Sequence, residues 1–397
     1  MPDGWEKSRL DKIAFIQTGI AKNKKLISNA IQVPYLRVAN VQDGYLDLSE
    51  IKNISIDEKK LDRFLVRTGD VLLTEGGDFD KLGRGAVWKG EIESCVHQNH
   101  VFVVRPNKEK ILPAFLSSLT GSSYGKKYFL SCSKQSTNLA SINSTQLKAF
   151  PVIFPPLPEQ KAIADLLSTW DEAIEKTEKL IKAKEKRFKW LLNELIGKPA
   201  VEGGVGWRKT FLGEVLTESR ILDTENNSRK RISVRLHLKG VEIREYRGTE
   251  VDGATKYFKR RAGQFIYGKQ NVFRGSLGIV PKSLDGYCST QDIPSFDIAS
   301  DVDSMWLYFY FSRQHFYKQL ESITTGTGSK RLNPSELYKI KISLPTIKSQ
   351  KIIAAVITTA KEEIDLIKKM AERYRAQKRG LMQKLLTGEW RVRLERA

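Results

Sequence analysis

The segment QKAIADLLSTWDEAIEKTEKLI, from Gln160 to Ile181, returns 190 residues later as QKIIAAVITTAKEEIDLIKKMA, from Gln350 to Ala371. Each copy must find an apolar partner, and that requirement constrains the fold more than any other feature. In the first, Ile163, Leu167, Trp170, Ile174, Thr177, Ile181, Lys184, Phe188, Leu191 and Leu195 alternate steps of four and three, the spacing of a heptad seam. In the second, Ile353, Ile357, Ala360, Ile364, Ile367, Ala371, Tyr374, Lys378, Leu381 and Leu385 repeat that spacing. Neither stripe is stable in water, and each offers the other a partner of matching length. A helix of about 38 residues is roughly 57 Å long. A domain of about 150 residues has a radius of gyration near 15 Å. The helices are therefore expected to pair antiparallel and to project from, or bridge between, the modules.

The repeat extends beyond the helices. Each copy opens on a tryptophan phrase, GWEKSRLDKIAFIQTG from Gly4 and GWRKTFLGEVLTESR from Gly206. Each middle holds a glycine-led apolar run, GDVLLTEGG from Gly69 and GQFIYGKQN from Gly263. Each then reaches INSTQLKAFPVIFPP from Ile142 or LNPSELYKIKISLP from Leu332, where Ile142 meets Leu332, Asn143 Asn333, Leu147 Leu337 and Pro155 Pro345. The frame repeats while the middles diverge, as expected of two modules that share a scaffold and read different things. Strand-like runs at His100–Val104 and Asp70–Thr74, a helix near Ala114–Tyr128 and an apolar run at Met305–Ser312 make the modules mixed. Pro158 near the first turn, then Gly197 and Pro199, are expected to bound the first helix, with a flexible linker at Val201–Gly206; Pro345 and Gly388 bound the second. The expected fold is α+β: modules over 1–158 and 199–346, helices over 159–198 and 347–390, and a tail over 391–397.

The net charge of +21 divides as +7 on residues 1–199 and +14 on residues 200–397. Both halves are basic, so a polyanion, and nucleic acid before others, is the natural partner. No apolar run is long enough to span a bilayer, and the N-terminus has no signal-peptide core. The three cysteines, Cys95, Cys132 and Cys288, lie far apart, which suits a reducing cytosol.

Catalytic signatures are missing. CVHQNH brings Cys95, His97 and His100 close in sequence, but no second ligand pair stands at finger spacing, and a strand explains the stretch better. TTGTGSKR, Thr324–Arg331, lacks P-loop spacing because Ser329 separates Gly328 from Lys330. EKK at Glu58–Lys60 resembles a nuclease triplet that chance produces readily, and Asn333-Pro334-Ser335 is no amino-methyltransferase motif. What remains are polar, basic loops with residue types suited to base edges and phosphates. In the first module they offer Lys22, Lys24, Lys25, Lys81, Arg84, Lys134, Gln135 and Asn138. In the second they offer Arg229, Lys230, Arg231, Arg235, Lys269, Gln270, Arg274, Lys330 and Arg331.

FPPLPEQKAIADLLSTWDEAIEKTEKLI, the later GLMQKLLTG and the two tryptophan phrases resemble the specificity subunit of type I restriction–modification systems. The likeness covers essentially the whole chain in organisation. The second copy departs from it at LPTIKSQ, where Lys348 and Ser349 precede the retained Gln350. The resemblance implies two target-recognition domains, each reading one half of a split site in double-stranded DNA, held apart by a coiled-coil spacer. It also implies two modification subunits, which supply S-adenosylmethionine and adenine methylation, and restriction subunits, which use ATP and Mg²⁺. No cofactor, metal or catalysis is then expected in this chain. A stand-alone nuclease or methyltransferase with duplicated domains is the rival reading, and a coiled-coil adaptor without a DNA role is another.

Overall fold

The computed structural model describes residues 2–21, 29–79, 82–135, 139–202, 206–225, 227, 229–246, 255–326 and 330–393. The chain divides into two compact units. Unit 1 is Met1–Thr177 with Met370–Ala397, and unit 2 is Glu178–Lys369.

Unit 1 runs β1 (Glu6–Arg9), β2 (Ala14–Thr18), β3 (Ala30–Leu36), β4 (Lys52–Asp57), α1 (Leu61–Phe64), β5 (Val71–Thr74), β6 (Gly76–Gly77), β7 (Gly85–Val87), β8 (Val96–His97) and β9 (Val101–Pro106). Then follow α2 (Pro113–Gly121), α3 (Ser123–Cys132), β10 (Lys134–Gln135), β11 (Ala140–Ser141), α4 (Ser144–Lys148), β12 (Pro151–Phe154) and the start of α5 (Leu157–Leu192). The central sheet has the order β2-β9-β5-β7. Val71 and Leu73 face a core with Phe102, Val104 and Phe115, while Leu72, Val101 and Val103 face a second cluster around Trp88. That alternation follows from the two-residue period of a strand covered on both faces.

Unit 2 begins within α5, passes a π turn at Asn193–Gly197 and α6 (Lys198–Glu202), and repeats the plan. It runs β13 (Arg208–Phe211), α7 (Leu212–Val215), β14 (Leu216–Ser219), β15 (Ile232–Arg235), β16 (Gly240–Ile243), β17 (Tyr257–Lys259), β18 (Phe265–Tyr267), β19 (Leu277–Ile279), β20 (Cys288–Thr290) and β21 (Ser295–Ile298). It ends with α8 (Ser304–Ser312), α9 (Gln314–Gln319), α10 (Pro334–Tyr338), β22 (Lys341–Leu344) and α11 (Ile347–Leu385). Its sheet order is β14-β21-β18-β19. The terminal strand pair recurs too, with Glu6 opposite Phe154 and Arg208 opposite Leu344. Trp5 packs edge-on to Phe115 as Trp207 does to Trp306.

One glutamine per copy ties helix to module. Gln160 accepts from the Leu112 N–H at 2.8 Å and donates to the carbonyls of Lys110 and Pro155 at 2.9 and 2.8 Å. Gln350 accepts from the Asp303 N–H at 2.8 Å and donates to Asp301 and Pro345 at 3.0 and 2.9 Å. Both are buried. The residue before each differs. Glu159, buried, takes a two-pronged hydrogen bond from Arg391 at 2.6 and 2.7 Å, and Arg391 also donates to the Asp3 carbonyl. In the second copy Ser349 meets the Thr346 hydroxyl at 3.0 Å. At Gly388, which holds φ at +73°, a Cβ would stand 2.3 Å from Pro2, so the C-terminal turn can approach the N-terminal segment only without a side chain.

Within each unit α5 and α11 pair antiparallel. In unit 1 Trp170 meets Tyr374 edge-on at 5.8 Å, Asp171 meets Lys378, and Ile163 and Leu167 share a core with Leu385 and Leu386. In unit 2 Lys184 bridges to Glu363 at 2.5 Å and Glu185 to Lys368 at 2.6 Å, and Leu192 and Ile196 share a core with Ala354 and Ile357. Ile163, Leu167, Ile357, Ile364 and Leu385 are buried, whereas Trp170, Ile174, Ile181, Phe188, Ile353, Ile367, Tyr374 and Leu381 are half-buried. Toward the end of α5 burial moves one position on: Leu191 and Leu195 are half-buried, and Leu192 and Ile196 take the core. A straight helix drifts about 20° per heptad against a strict seven-residue repeat, so four heptads move the buried line by nearly one residue.

A second correction concerns the helix end. Gly197 and Pro199 do not stop it. The turn widens so that the Lys198 N–H reaches the Asn193 carbonyl, and α6 continues to Glu202. Pro199 lies in the first turn of α6, where its missing N–H costs little, and buried Ile196 anchors the widened turn.

Candidate nucleic-acid interface

In unit 1 the fold gathers loops that are distant in sequence. The strand β5 ends at Thr74, and the chain turns outward through β6. β6 pairs with β11, and β11 pairs with β10, which carries Lys134 and Gln135. The Ile142 N–H donates to the Glu75 carbonyl at 2.9 Å and locks the junction. A Cβ at Gly76 would approach the Ala140 carbonyl to 2.8 Å, so this crossing requires glycine. Lys134 and Gln135 are exposed on this small sheet. Arg84 returns beside it and donates to the Gln42 side chain at 3.1 Å, while its Nε finds no partner among the described residues. Lys22, Lys24, Lys25, Lys81 and Asn138 lie outside the described residues.

Unit 2 builds the equivalent corner from other side chains. After β18 the chain turns at Gly268, whose N–H meets the Ser276 carbonyl at 3.0 Å. The Leu332 N–H donates to the Lys269 carbonyl at 2.9 Å, as Ile142 does to Glu75. Thr325 and Arg331 exchange backbone hydrogen bonds at 3.0 and 2.9 Å, and Arg331 reaches Asp292 at 3.3 Å. Lys269, Gln270, Lys330 and Arg331 therefore share one corner, although Lys330 is engaged with Glu321 at 2.9 Å. Arg229, Lys230 and Arg274 are exposed on other turns, and Arg235 is held by Glu242.

Arg231, one of the candidate residues, faces the interior instead. Its guanidinium is buried, donates to Asp223 at 2.7 Å and stacks 3.6 Å from the Tyr257 ring centre. Burial pushes the Asp223 carboxyl up most strongly, but the hydrogen bonds from Arg231, the Glu225 N–H and Cys288, with the charge of Arg231, together outweigh it and hold the group below its usual range. A bridge to Cys288 turns this end of β15 inward, so Arg231 serves the interior.

Two polar groups on the unit 1 corner were missed by sequence reasoning. His100 pairs with Glu75, and Asn99 contacts the His100 ring at 3.2 Å. The sequence CVHQNH reads as a strand rather than a metal site, and an Asn just before a strand also suits an adenine edge. His97 instead is buried, with Nδ1 2.7 Å from the Val101 carbonyl, and burial depresses its pKa to about 4. Burial raises Cys95 to about 12, which leaves an inert thiol. No group of three or more potential metal ligands occurs among the described residues.

The sequence profile described as "Type I restriction modification DNA specificity domain" matches residues 2–185 and 255–373. A protein of Methanocaldococcus jannaschii named type I restriction enzyme MjaVIII specificity subunit is 24% identical, with 99% of this chain and 94% of that protein aligned. Another from that organism, provisionally named the MjaX specificity subunit, is 26% identical over 99% of this chain and 95% of its own. The fold is similar to a solved chain described under "Structural basis underlying complex assembly and conformational transition of the type I R-M system", with a TM-score of 0.63, 16% identity and coverage of 98% of this chain and 99% of that one. The S subunit of a type I restriction–modification system from M. genitalium has a TM-score of 0.56 at 13% identity, with 96% of each chain covered. None of these likenesses supports a stand-alone catalyst.

Proposed function

Because the chain belongs to the type I restriction–modification DNA specificity family, we propose that it reads an asymmetric, bipartite site in double-stranded DNA, one half-site per unit. The supporting observation is the repeated corner: one backbone frame, closed by Ile142 on Glu75 and by Leu332 on Lys269, presents different side chains. Lys134, Gln135 and Arg84 offer donors to guanine edges, adenine edges and phosphates in one unit; Lys269, Gln270 and Arg331 do so in the other. Lys22, Lys24, Lys25, Lys81 and Asn138 join the first set, and Arg229, Lys230, Arg235, Arg274 and Lys330 flank the second. The paired helices set the stride between half-sites. Two modification subunits dock on this subunit, and restriction subunits join them. S-adenosylmethionine, ATP and Mg²⁺ belong to those partners, which work with this chain in the cytosol.

Single-molecule methylome sequencing of a host carrying the system tests this. The expected outcome is one split, non-palindromic motif that disappears with this gene. A palindromic motif, or methylation unaffected by its removal, overturns the reading.

A further inference from the structure

The sheet of unit 1 leaves one edge open. β2 pairs with β9 along one side, and no strand pairs with its other side among the described residues. A cleft of about 430 Å³ lies there, lined by the consecutive residues Phe15, Ile16, Gln17 and Thr18 together with Asp62, Arg63, Arg67, Arg105, Ser144 and Lys148. Consecutive strand residues point to opposite faces, so a cleft lined by all four is seen edge-on. Gln17 donates to the Arg63 carbonyl at 2.6 Å and holds the 61–67 segment beside the strand. Phe15 is 57% exposed.

The second unit shows what the open edge lacks. Tyr338 stands 190 positions after Lys148, and its hydroxyl accepts the Glu218 N–H of β14 at 2.9 Å. Tyr338 also packs edge-on to Phe296. Glu218 corresponds to Ile16 when the tryptophan phrases are aligned. Where one copy covers its edge strand with a tyrosine, the other has an exposed lysine and a cleft. The lining is net positive, with four basic side chains against Asp62. Arg105 is neutralised by buried Asp70 and Arg67 by Asp62; among the described residues Arg63 and Lys148 make no ion pair within 4 Å, and the charge of Lys148 reaches Asp11 only at longer range.

We propose that the free edge of β2 is a docking groove for an extended acidic segment of a partner protein, taken up as a fifth strand of the sheet. Backbone pairing along β2 supplies affinity, and Arg63 and Lys148 select carboxylates on the incoming strand. A peptide fits better than duplex DNA, because the cleft runs along the unpaired side of a strand, whose backbone groups another strand can satisfy.

The test uses the full chain and a fluorescein-labelled nine-residue peptide of alternating Glu and Thr, read by anisotropy. Three comparisons accompany it: the same peptide with alternate amides N-methylated, an alternating Lys and Thr peptide, and a 12-base-pair duplex. The acidic peptide is expected to bind and both altered peptides to lose at least tenfold. Lys148→Tyr, which copies the second unit, and Arg63→Glu are each expected to weaken the acidic peptide at least tenfold while duplex affinity stays within twofold. Circular dichroism confirms folding, and Arg63→Glu, on the surface, carries the test if Lys148→Tyr does not fold. Absence of acidic-peptide binding, equal binding of the N-methylated peptide, or displacement of the peptide by duplex with both affinities lost in Arg63→Glu overturns the proposal.

Discussion

At the residue scale, the same side chain solves the same problem twice. Gln160 and Gln350 each satisfy one amide and two carbonyls where a long helix leaves its module. Gln160→Leu strands these buried groups, at a cost of about 1–3 kcal/mol for each left unpaired. Faster hydrogen exchange at the Leu112 amide is the expected readout, with the Asp303 amide unchanged. Gln350→Leu should reverse that pattern. His97 sets a pH dependence. Its folded pKa of about 4 lies below the ordinary 6.5 because burial disfavours the charged ring. Its contribution is fully present above pH 6.5 and is lost as pH falls towards 4, about 3 kcal/mol in all. Unfolding of unit 1 between pH 7 and 4 should show this slope, and His97→Gln should flatten it.

At the element scale, the helices obey two periods at once. The heptad seam is written for a supercoil, yet the end of α5 follows the drift of a straighter helix onto the core of unit 2. Leu192→Ala should therefore cost about 2–4 kcal/mol and Leu191→Ala clearly less, measured by chemical denaturation of unit 2. A choice from the sequence pattern alone would rank the two the other way. Inserting four residues into α5 and four at the facing position of α11 lengthens each by roughly 6 Å, close to two base-pair steps of about 3.4 Å. The methylated motif is expected to gain one or two unspecified base pairs. A motif of unchanged spacing contradicts the ruler.

At the scale of the whole molecule, the charge of +21 governs how the chain meets DNA. If both units neutralise phosphates, six to ten contacts in all, affinity should fall about 10³–10⁵-fold between 50 and 200 mM salt. Filter binding across that range measures it, and a flat profile would leave the charge without a DNA role.

Repeat, helix pairing and a polyanionic partner class could be read from the sequence, because periodicity and net charge are properties of the chain itself. The apolar stripes announce that two helices must meet, and the offset of 190 announces that the modules share a frame. Side-chain direction could not be read. Arg231 looks like its basic neighbours in NSRKRISVR, yet a bridge to Cys288 and the carboxylate of Asp223 draw it inside. His100 and Lys134 stand 34 positions apart, and only the β6–β11–β10 ladder brings their segments to one corner. Pro199 reads as a stop, and only burial of Ile196 in a folded core makes a widened turn the better solution. Local pattern decides which segments are helix, strand or loop. Which polar groups face outward together is decided by long-range pairing, whose free energy no stretch of sequence contains by itself.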